Sequence, residues 1–295
     1  MNPKERLEQY TKEVDKLLED YLPEEDGFQK TVISAMNYSI RAGGKRLRPL
    51  FMREFYRLFG GHGQEIEPFM AAMEMIHTFS LVHDDLPCMD NDEYRRGLPT
   101  TWVTYGYDMA VLAGDGLFCY AMETAAKAFS MTERSDLVGQ AIGLLAQKSG
   151  IYGMIGGQSA DVELTGKTLS EDQLDFIYRL KTGALLEGSM MIGALLGGAD
   201  WEQISVVEQI AQAVGMAFQI QDDILDLTSS QEVLGKPVLS DEKNKKTTYV
   251  SLYGMEQAKK EVERLSEEAA GLLKSLPGDS QFLEAWIHML VDREK

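Results

Sequence analysis

The feature that most constrains this chain is the spacing of its apolar residues, which is helical almost from end to end. Leu7, Tyr10, Val14, Leu17, Leu18 and Tyr21 recur at steps of three and four, as do Met70, Met73, Ile76, His77, Ser80 and Leu81. That spacing draws an apolar stripe along one face of a helix turning every ~3.6 residues. Val206, Ile210, Val214, Phe218, Ile220 and Leu225 follow it less strictly. No run alternates apolar and polar residues for long enough to predict a sheet. The expected fold class is therefore all-α, with helices near 3–20, 28–41, 46–59, 66–86, 105–129, 135–156, 170–197, 202–228, 255–274 and 279–291. Breakers such as Pro23, Gly43-Gly44, Gly60-Gly61, Gly197-Gly198 and Pro277-Gly278 separate them. Several of these helices are apolar on more than one face, which predicts places at the centre of a bundle. No stretch has the composition of a linker, so residues 1–295 are expected to form a single domain.

Charge narrows the partners. Asp and Glu number 47 against 29 Lys and Arg, a formal net charge of -18. Such a surface repels nucleic acid and anionic lipid over most of its area, so neither a nucleic-acid partner nor stable membrane association is expected. The only cysteines, Cys88 and Cys119, form no disulfide framework and lack metal-site spacing, which fits a reduced, cytoplasmic setting. The start of the chain, Met1 to Arg6, is charged and has no apolar signal core. The most apolar stretches, 108–129 and 183–199, are interrupted by Asp115, Glu123 and Glu187 and do not predict a membrane span.

Against that background two carboxylate clusters stand out. One is His83-Asp84-Asp85-Leu86-Pro87-Cys88-Met89-Asp90-Asn91-Asp92; the other is Gln221-Asp222-Asp223-Ile224-Leu225-Asp226. Each follows a strongly apolar segment, where adjacent carboxylates repel one another and resist burial. A bound divalent cation is the usual compensation, and an all-carboxylate donor set favours a hard ion such as magnesium. Asp222 and Asp226 are one helical turn apart and share a face, with Asp223 beside them. Asp84 and Asp90 would lie roughly 240° apart on an unbroken helix, too far around to chelate together. Pro87 disrupts the helix and lets the chain turn back, which would return Asp90 to Asp84.

Magnesium keeps few protein carboxylates and takes phosphate oxygens readily, so a diphosphate ligand is implied. An acidic protein needs local positive charge to hold one. Gly43-Gly44-Lys45-Arg46-Leu47-Arg48-Pro49 supplies it at a predicted helix start, where phosphate is favoured and Arg offers a bidentate fork. Arg95-Arg96-Gly97 follows the first cluster, Lys181-Thr182-Gly183 interrupts an apolar helix, and Lys236 and Lys245-Lys246-Thr247-Thr248-Tyr249 follow the second cluster.

These segments together resemble the short-chain trans-isoprenyl diphosphate synthases, in particular those of the bacterial farnesyl diphosphate synthase type. The likeness runs through GGKRLRP (43–49), HTFSLVHDDLPCMDND (77–92), RRGLPTT (95–101), LAGDGL (112–117) and GGQSAD (156–161). It continues through KTGALL (181–186), FQIQDDILD (218–226), LGKP (234–237) and KTTY (246–249). Three segments depart from the usual pattern: Trp102 where relatives commonly have His, Val250 for a common Pro, and Glu93-Tyr94 for an acidic-aliphatic pair.

What the resemblance implies is specific. The fold would be a helical bundle around a deep central cavity, usually as a homodimer. Magnesium, three ions once diphosphate is bound, would be held by Asp84, Asp85 and Asp90 and by Asp222 and Asp226. Asp84, Asp85, Asp90, Lys181, Asp222 and Asp223 would carry catalysis. Arg95, Lys181, Thr182, Gln219, Lys236 and Lys246 match positions that hold the allylic diphosphate. Lys45, Arg48, His77 and Arg96 match the isopentenyl diphosphate pocket. Phe79 with Ser80, just before Asp84, would set product length, the ring acting as the floor of the elongation cavity. With the Pro87-Cys88 insertion, this implies a fifteen-carbon product. Ten- and twenty-carbon synthases remain as alternatives, with a terpene cyclase or a non-catalytic regulatory subunit further away.

Overall fold

The computed structural model describes residues 3–228 and 247–291. Its contacts group into two compact units, Met1–Arg53 with His62–Ile142, and Glu54–Gly61 with Gly143–Lys295.

The first unit holds α1 (Pro3–Tyr21), α2 (Lys30–Arg41), the first part of α3 (Leu47–Leu58) and α4 (Glu67–Asp84). After α4 come a two-residue antiparallel ladder, β1 (Tyr94–Arg95) with β2 (Leu98–Pro99), then α5 (Thr101–Tyr105) and α6 (Tyr107–Ala126). α4 packs mainly on α6, with α1 and α2 also against it. Phe51, Phe69, Met70, Met73 and Ile76 are sealed from solvent, each such burial stabilising by about 1.5–3 kcal/mol. α4 is buried on nearly every side from Pro68 to Ile76, the behaviour that its broad apolar surface predicts. It ends at Asp84 rather than at residue 86, because the chain turns at the Leu86-Pro87 step. The helix read over 105–129 is shorter at both ends: Gly106 separates α5 from α6, and Lys127–Ser130 is a 3₁₀ turn.

The second unit holds the end of α3, the second half of α7 (Ser135–Ser149), whose first half belongs to the first unit, and then α8 (Met154–Leu164), α9 (Glu171–Ile177), α10 (Ala184–Gly197) and α11 (Trp201–Thr228). α12 (Tyr249–Tyr253), α13 (Met255–Leu273) and α14 (Gln281–Val291) complete it. Every residue of α10 from Ala184 to Leu196 is buried, and α10 packs on α11, which in turn packs on α13. The helix read over 135–156 is two helices, α7 and α8, divided at 150–153. The helix read over 170–197 begins at a Ser170–Gln173 capping box and changes to π geometry at Tyr178–Gly183 before resuming as α10. Among the described residues no helix is long and apolar enough to cross a membrane.

Candidate active site

In the first unit the acidic segment folds back on itself. The Asp90 N–H donates to the Asp84 carbonyl at 2.9 Å, and the Asn91 N–H to the Leu86 carbonyl at 3.1 Å. Asn91 takes φ 56°, a left-handed conformation that asparagine tolerates. The turn expected at Pro87 is therefore present, and it sets the half-buried Asp84 beside the exposed Asp90 along the backbone. Asp85 points elsewhere. It is buried, and its Oδ1 accepts from Arg95 Nε at 2.7 Å and lies 2.6 Å from Arg95 Nη2. Burial pushes the Asp85 carboxyl upward, and the Arg95 guanidinium opposes that shift. Trp102 donates its Nε1–H to the Asp92 carbonyl at 2.9 Å, and Thr100 donates its hydroxyl to the same oxygen at 2.8 Å. The residue that departs from the family pattern thus anchors the loop.

The cations of this unit gather around α4. Arg46 is buried, with Nη1 2.7 Å from Glu74 Oε1, Nε 2.8 Å from Asp15 Oδ1, and Nη2 donating to the Ile40 carbonyl at 2.6 Å. Arg48 is half-buried, and its Nε is buried with no hydrogen-bond partner among the described residues. Desolvation pulls Arg48 down to about 10, with Arg96 adding to the shift and Glu74 opposing it. Arg96 donates Nη1–H to the Gly43 carbonyl. His77 is held well below 6.5, first by desolvation and then by the positive charges of Arg48, Arg96, Arg95 and Arg46. Lys45 is exposed in the turn leading into α3. Arg48 and Arg96, expected to share an anion site with His77, therefore act on one another and on the His77 ring, and a bound anion would relieve that repulsion.

In the second unit Lys181, Thr182, Gln219 and Asp223 line one cavity of about 140 Å³, together with Asp161 and Tyr178. Lys181 and Thr182 lie in the π turn, a distortion frequent at functional positions. Lys181 Nζ is 2.6 Å from Asp161 Oδ2. Thr182 donates to Gln219 Oε1 at 2.8 Å, and Gln219 Nε2 reaches Asp223 Oδ1 at 3.4 Å. Asp223 is buried, and its Oδ2 accepts from the Tyr178 hydroxyl at 2.6 Å and from the Tyr249 N–H at 2.9 Å. It ties α11, the π turn and α12 together. Asp222 is half-buried one turn before the buried Asp226 on α11. α8 approaches the π turn closely at Gly157, where a Cβ would stand 2.2 Å from the Lys181 backbone nitrogen. Lys236 and Lys246 lie outside the described residues.

Four residues went unassigned at the level of sequence: Arg46, Glu74, Asp161 and Tyr178. Glu74 carried a signal, because a lone carboxylate inside the apolar run Ala71–Ile76 requires a buried partner. Among the described residues no three His, Cys, Asp or Glu side chains come close enough to hold a metal ion by themselves. The donors that are present fit magnesium nonetheless: they are all hard oxygens, and the Asp84–Asp90 turn offers two carboxylates and leaves the remaining positions to phosphate or water.

The profile of the polyprenyl synthetase family matches residues 29–276. The chain belongs to that family. It is a prenyltransferase. A farnesyl diphosphate synthase of Geobacillus stearothermophilus is 42% identical over 97% of this prenyltransferase and 95% of the relative. A geranylgeranyl diphosphate synthase of Cyanophora paradoxa is 44% identical over 81% of the chain and 79% of the relative. Among solved structures, an FPP/GFPP synthase from Zymomonas mobilis matches with a TM-score of 0.87 at 31% identity, covering 98% of this chain and 99% of that one.

Proposed function

We propose that this prenyltransferase condenses isopentenyl diphosphate with dimethylallyl diphosphate and then with geranyl diphosphate, head to tail, to give mainly farnesyl diphosphate. Asp84 and Asp90, with Asp222 and Asp226, would hold magnesium, and Asp85 and Asp223 would brace them through Arg95 and Tyr178. When bound, the metal neutralises the charge that develops on the departing pyrophosphate. Lys181, Thr182 and Gln219 bind and orient the allylic diphosphate, with Arg95 beside the acidic turn; Lys236 and Lys246 complete this set. Lys45, Arg48, His77 and Arg96 hold isopentenyl diphosphate so that its double bond meets the allylic carbon. The C–O bond to pyrophosphate breaks, the new C–C bond forms, and the proton lost from the condensed isopentenyl unit passes to pyrophosphate. Apolar side chains exclude water from the cationic carbon.

The observation that carries this reading is the pairing of a folded-back Asp84–Asp90 turn with a guanidinium, Arg48, whose buried Nε lacks a partner among the described residues. A terpene cyclase has no use for that second anion site. A twenty-carbon product is the second reading, since the Cyanophora relative is named for one. Phe79 favours fifteen carbons: it stands five residues before Asp84, roughly 7.5 Å along the helix, and is only half-buried, as a ring facing an opening would be. A magnesium-dependent homodimer in the cytoplasm completes the proposal. Incubation with isopentenyl and dimethylallyl diphosphates and magnesium tests it. A predominantly fifteen-carbon alcohol after dephosphorylation is expected; no condensation product would refute it.

A further inference from the structure

We propose that Glu187, on α10, is a positioning residue for the allylic diphosphate site, steadying through Arg179 the π turn that presents Lys181 and Thr182; this rests on the diphosphate-binding reading of those two residues above. Glu187 is the one ionisable residue between Ala184 and Leu196, a stretch buried throughout, and its side chain is 1% exposed. A carboxylate so placed needs a compensating partner. Lys148 of α7 supplies the charge: its Nζ donates to Glu187 Oε2 at 2.5 Å and to Glu208 Oε1, on α11, at 2.8 Å. Burial alone would pull the Lys148 ammonium down, but its hydrogen bonds to Glu187 and Glu208 hold it above its ordinary value. One cation thus joins α7, α10 and α11 at the turn of α10 that directly follows the π turn.

Lys148 answers only half of the carboxylate. Glu187 Oε1 is buried and has no hydrogen-bond partner among the described residues. It faces the π turn: a Cβ on Gly183 would stand 3.8 Å from it, and Arg179 Nε lies 3.9 Å away. Both residues belong to that turn, one on each side of Lys181. The Arg179 side chain is 55% exposed and has room to move. A shift of about 1 Å converts its contact with Oε1 into a charge-assisted hydrogen bond. The turn is also tightly bounded. α8 approaches its backbone at Gly157, and on α11 a Cβ at Gly215 would stand 3.1 Å from the Gly183 Cα. A segment so confined cannot absorb a change at one end, so a disturbance at Arg179 or Glu187 reaches Lys181 and Thr182 between them. Apolar side chains could fill the Lys148–Glu187 position with no loss of stability. What the carboxylate adds is its hold on Arg179.

The test measures kcat and the KM of each substrate, beside thermal melts, in the full-length protein with magnesium. The variants are Glu187→Gln, Arg179→Ala, these two combined, Lys148→Met/Glu187→Leu, and Lys181→Ala. Glu187→Gln and Arg179→Ala are each expected to raise the KM for dimethylallyl diphosphate roughly tenfold, as small displacements near a bound group do. The KM for isopentenyl diphosphate should stay near the parent value and kcat should change less. The combined variant should show no more than the larger single effect, because both changes break one contact. Lys148→Met/Glu187→Leu should melt near the parent temperature and keep the raised allylic KM. A parent-like allylic KM in that variant would make the buried charges purely structural and overturn the inference. If Glu187→Gln does not fold, Arg179→Ala, a change at an exposed side chain, carries the comparison. An unchanged allylic KM in the Arg179 and Glu187 variants beside a raised one in Lys181→Ala overturns the inference and leaves the diphosphate reading intact. An unchanged KM in Lys181→Ala as well removes the reading on which the inference stands.

Discussion

The backbone amide of Asp90 donates to the carbonyl of Asp84 at 2.9 Å, so two carboxylates six residues apart spring from adjacent points of the chain. If they share an ion, replacing Asp84 with Ala removes charge stabilisation from the step that breaks the C–O bond. Turnover is expected to fall by at least about a hundredfold, with the melting temperature little changed because Asp84 is half-buried. Steady-state kinetics beside a thermal melt checks both halves; near-normal turnover would remove Asp84 from the metal site.

Arg46 and Glu74 behave differently, although Arg46 stands in the same basic run as Lys45 and Arg48. The side chains of this ion pair are 2% and 1% exposed. Glu74→Ala leaves a buried guanidinium short of its partner, a loss of about 3–5 kcal/mol in such sites. Urea unfolding should register that loss, and the double variant Arg46→Met/Glu74→Leu should recover a large part of it. A Glu74→Ala variant as stable as the parent would mean that Asp15 alone suffices for Arg46.

His77 gives a pH prediction. Its imidazole is held well below 6.5 in the fold, whereas in the unfolded chain it titrates near that value. Between the two values the unfolded state binds more protons, so His77's contribution to stability is lost as pH falls below about 6.5. Inorganic pyrophosphate, by supplying negative charge, should raise the His77 value. Two-dimensional NMR of the imidazole with and without pyrophosphate follows this; an unchanged titration on addition of pyrophosphate would place the anion away from His77.

Gly157 offers a way to disturb Lys181 without touching it. An Ala side chain there would stand 2.2 Å from the Lys181 nitrogen and 2.7 Å from the Leu180 carbonyl carbon, both backbone atoms that cannot rotate away. The π turn must shift. Displacements of about 1 Å near reacting groups cost on the order of a hundredfold, so kcat/KM for the allylic substrate should fall by tenfold or more in Gly157→Ala, roughly within that limit. The KM for isopentenyl diphosphate should stay near the parent value; equal effects on both substrates would count against separate binding sets.

The helices were legible because burial imposes a period on the sequence, as α1 and α4 do most plainly. The fold-back of the first acidic segment was legible because Pro87 cannot continue a helix. The π turn was not, since Ala184–Leu196 is buried on every side and carries no one-sided period for an extra residue to shift, so only Lys181-Thr182-Gly183 marks the place. The α7–α8 break was hidden because Ile151 and Tyr152 keep the stretch apolar although both are exposed. Pairings such as Arg46 with Glu74, Lys181 with Asp161 and Tyr178 with Asp223 join residues 20 to 45 positions apart. No local spacing encodes them, so Arg46 read as one more cation of the diphosphate-holding run at 43–49 and Asp223 as one more catalytic carboxylate.

The most direct measurement is a crystal structure of the protein with manganese in place of magnesium and a non-ionising analogue of dimethylallyl diphosphate. Anomalous peaks are predicted at about 2.0–2.3 Å from carboxylate oxygens of Asp84 and Asp90 and of Asp222, each also touching the diphosphate. Peaks that contact only one of the two acidic segments, or a diphosphate held without metal between them, would contradict the account.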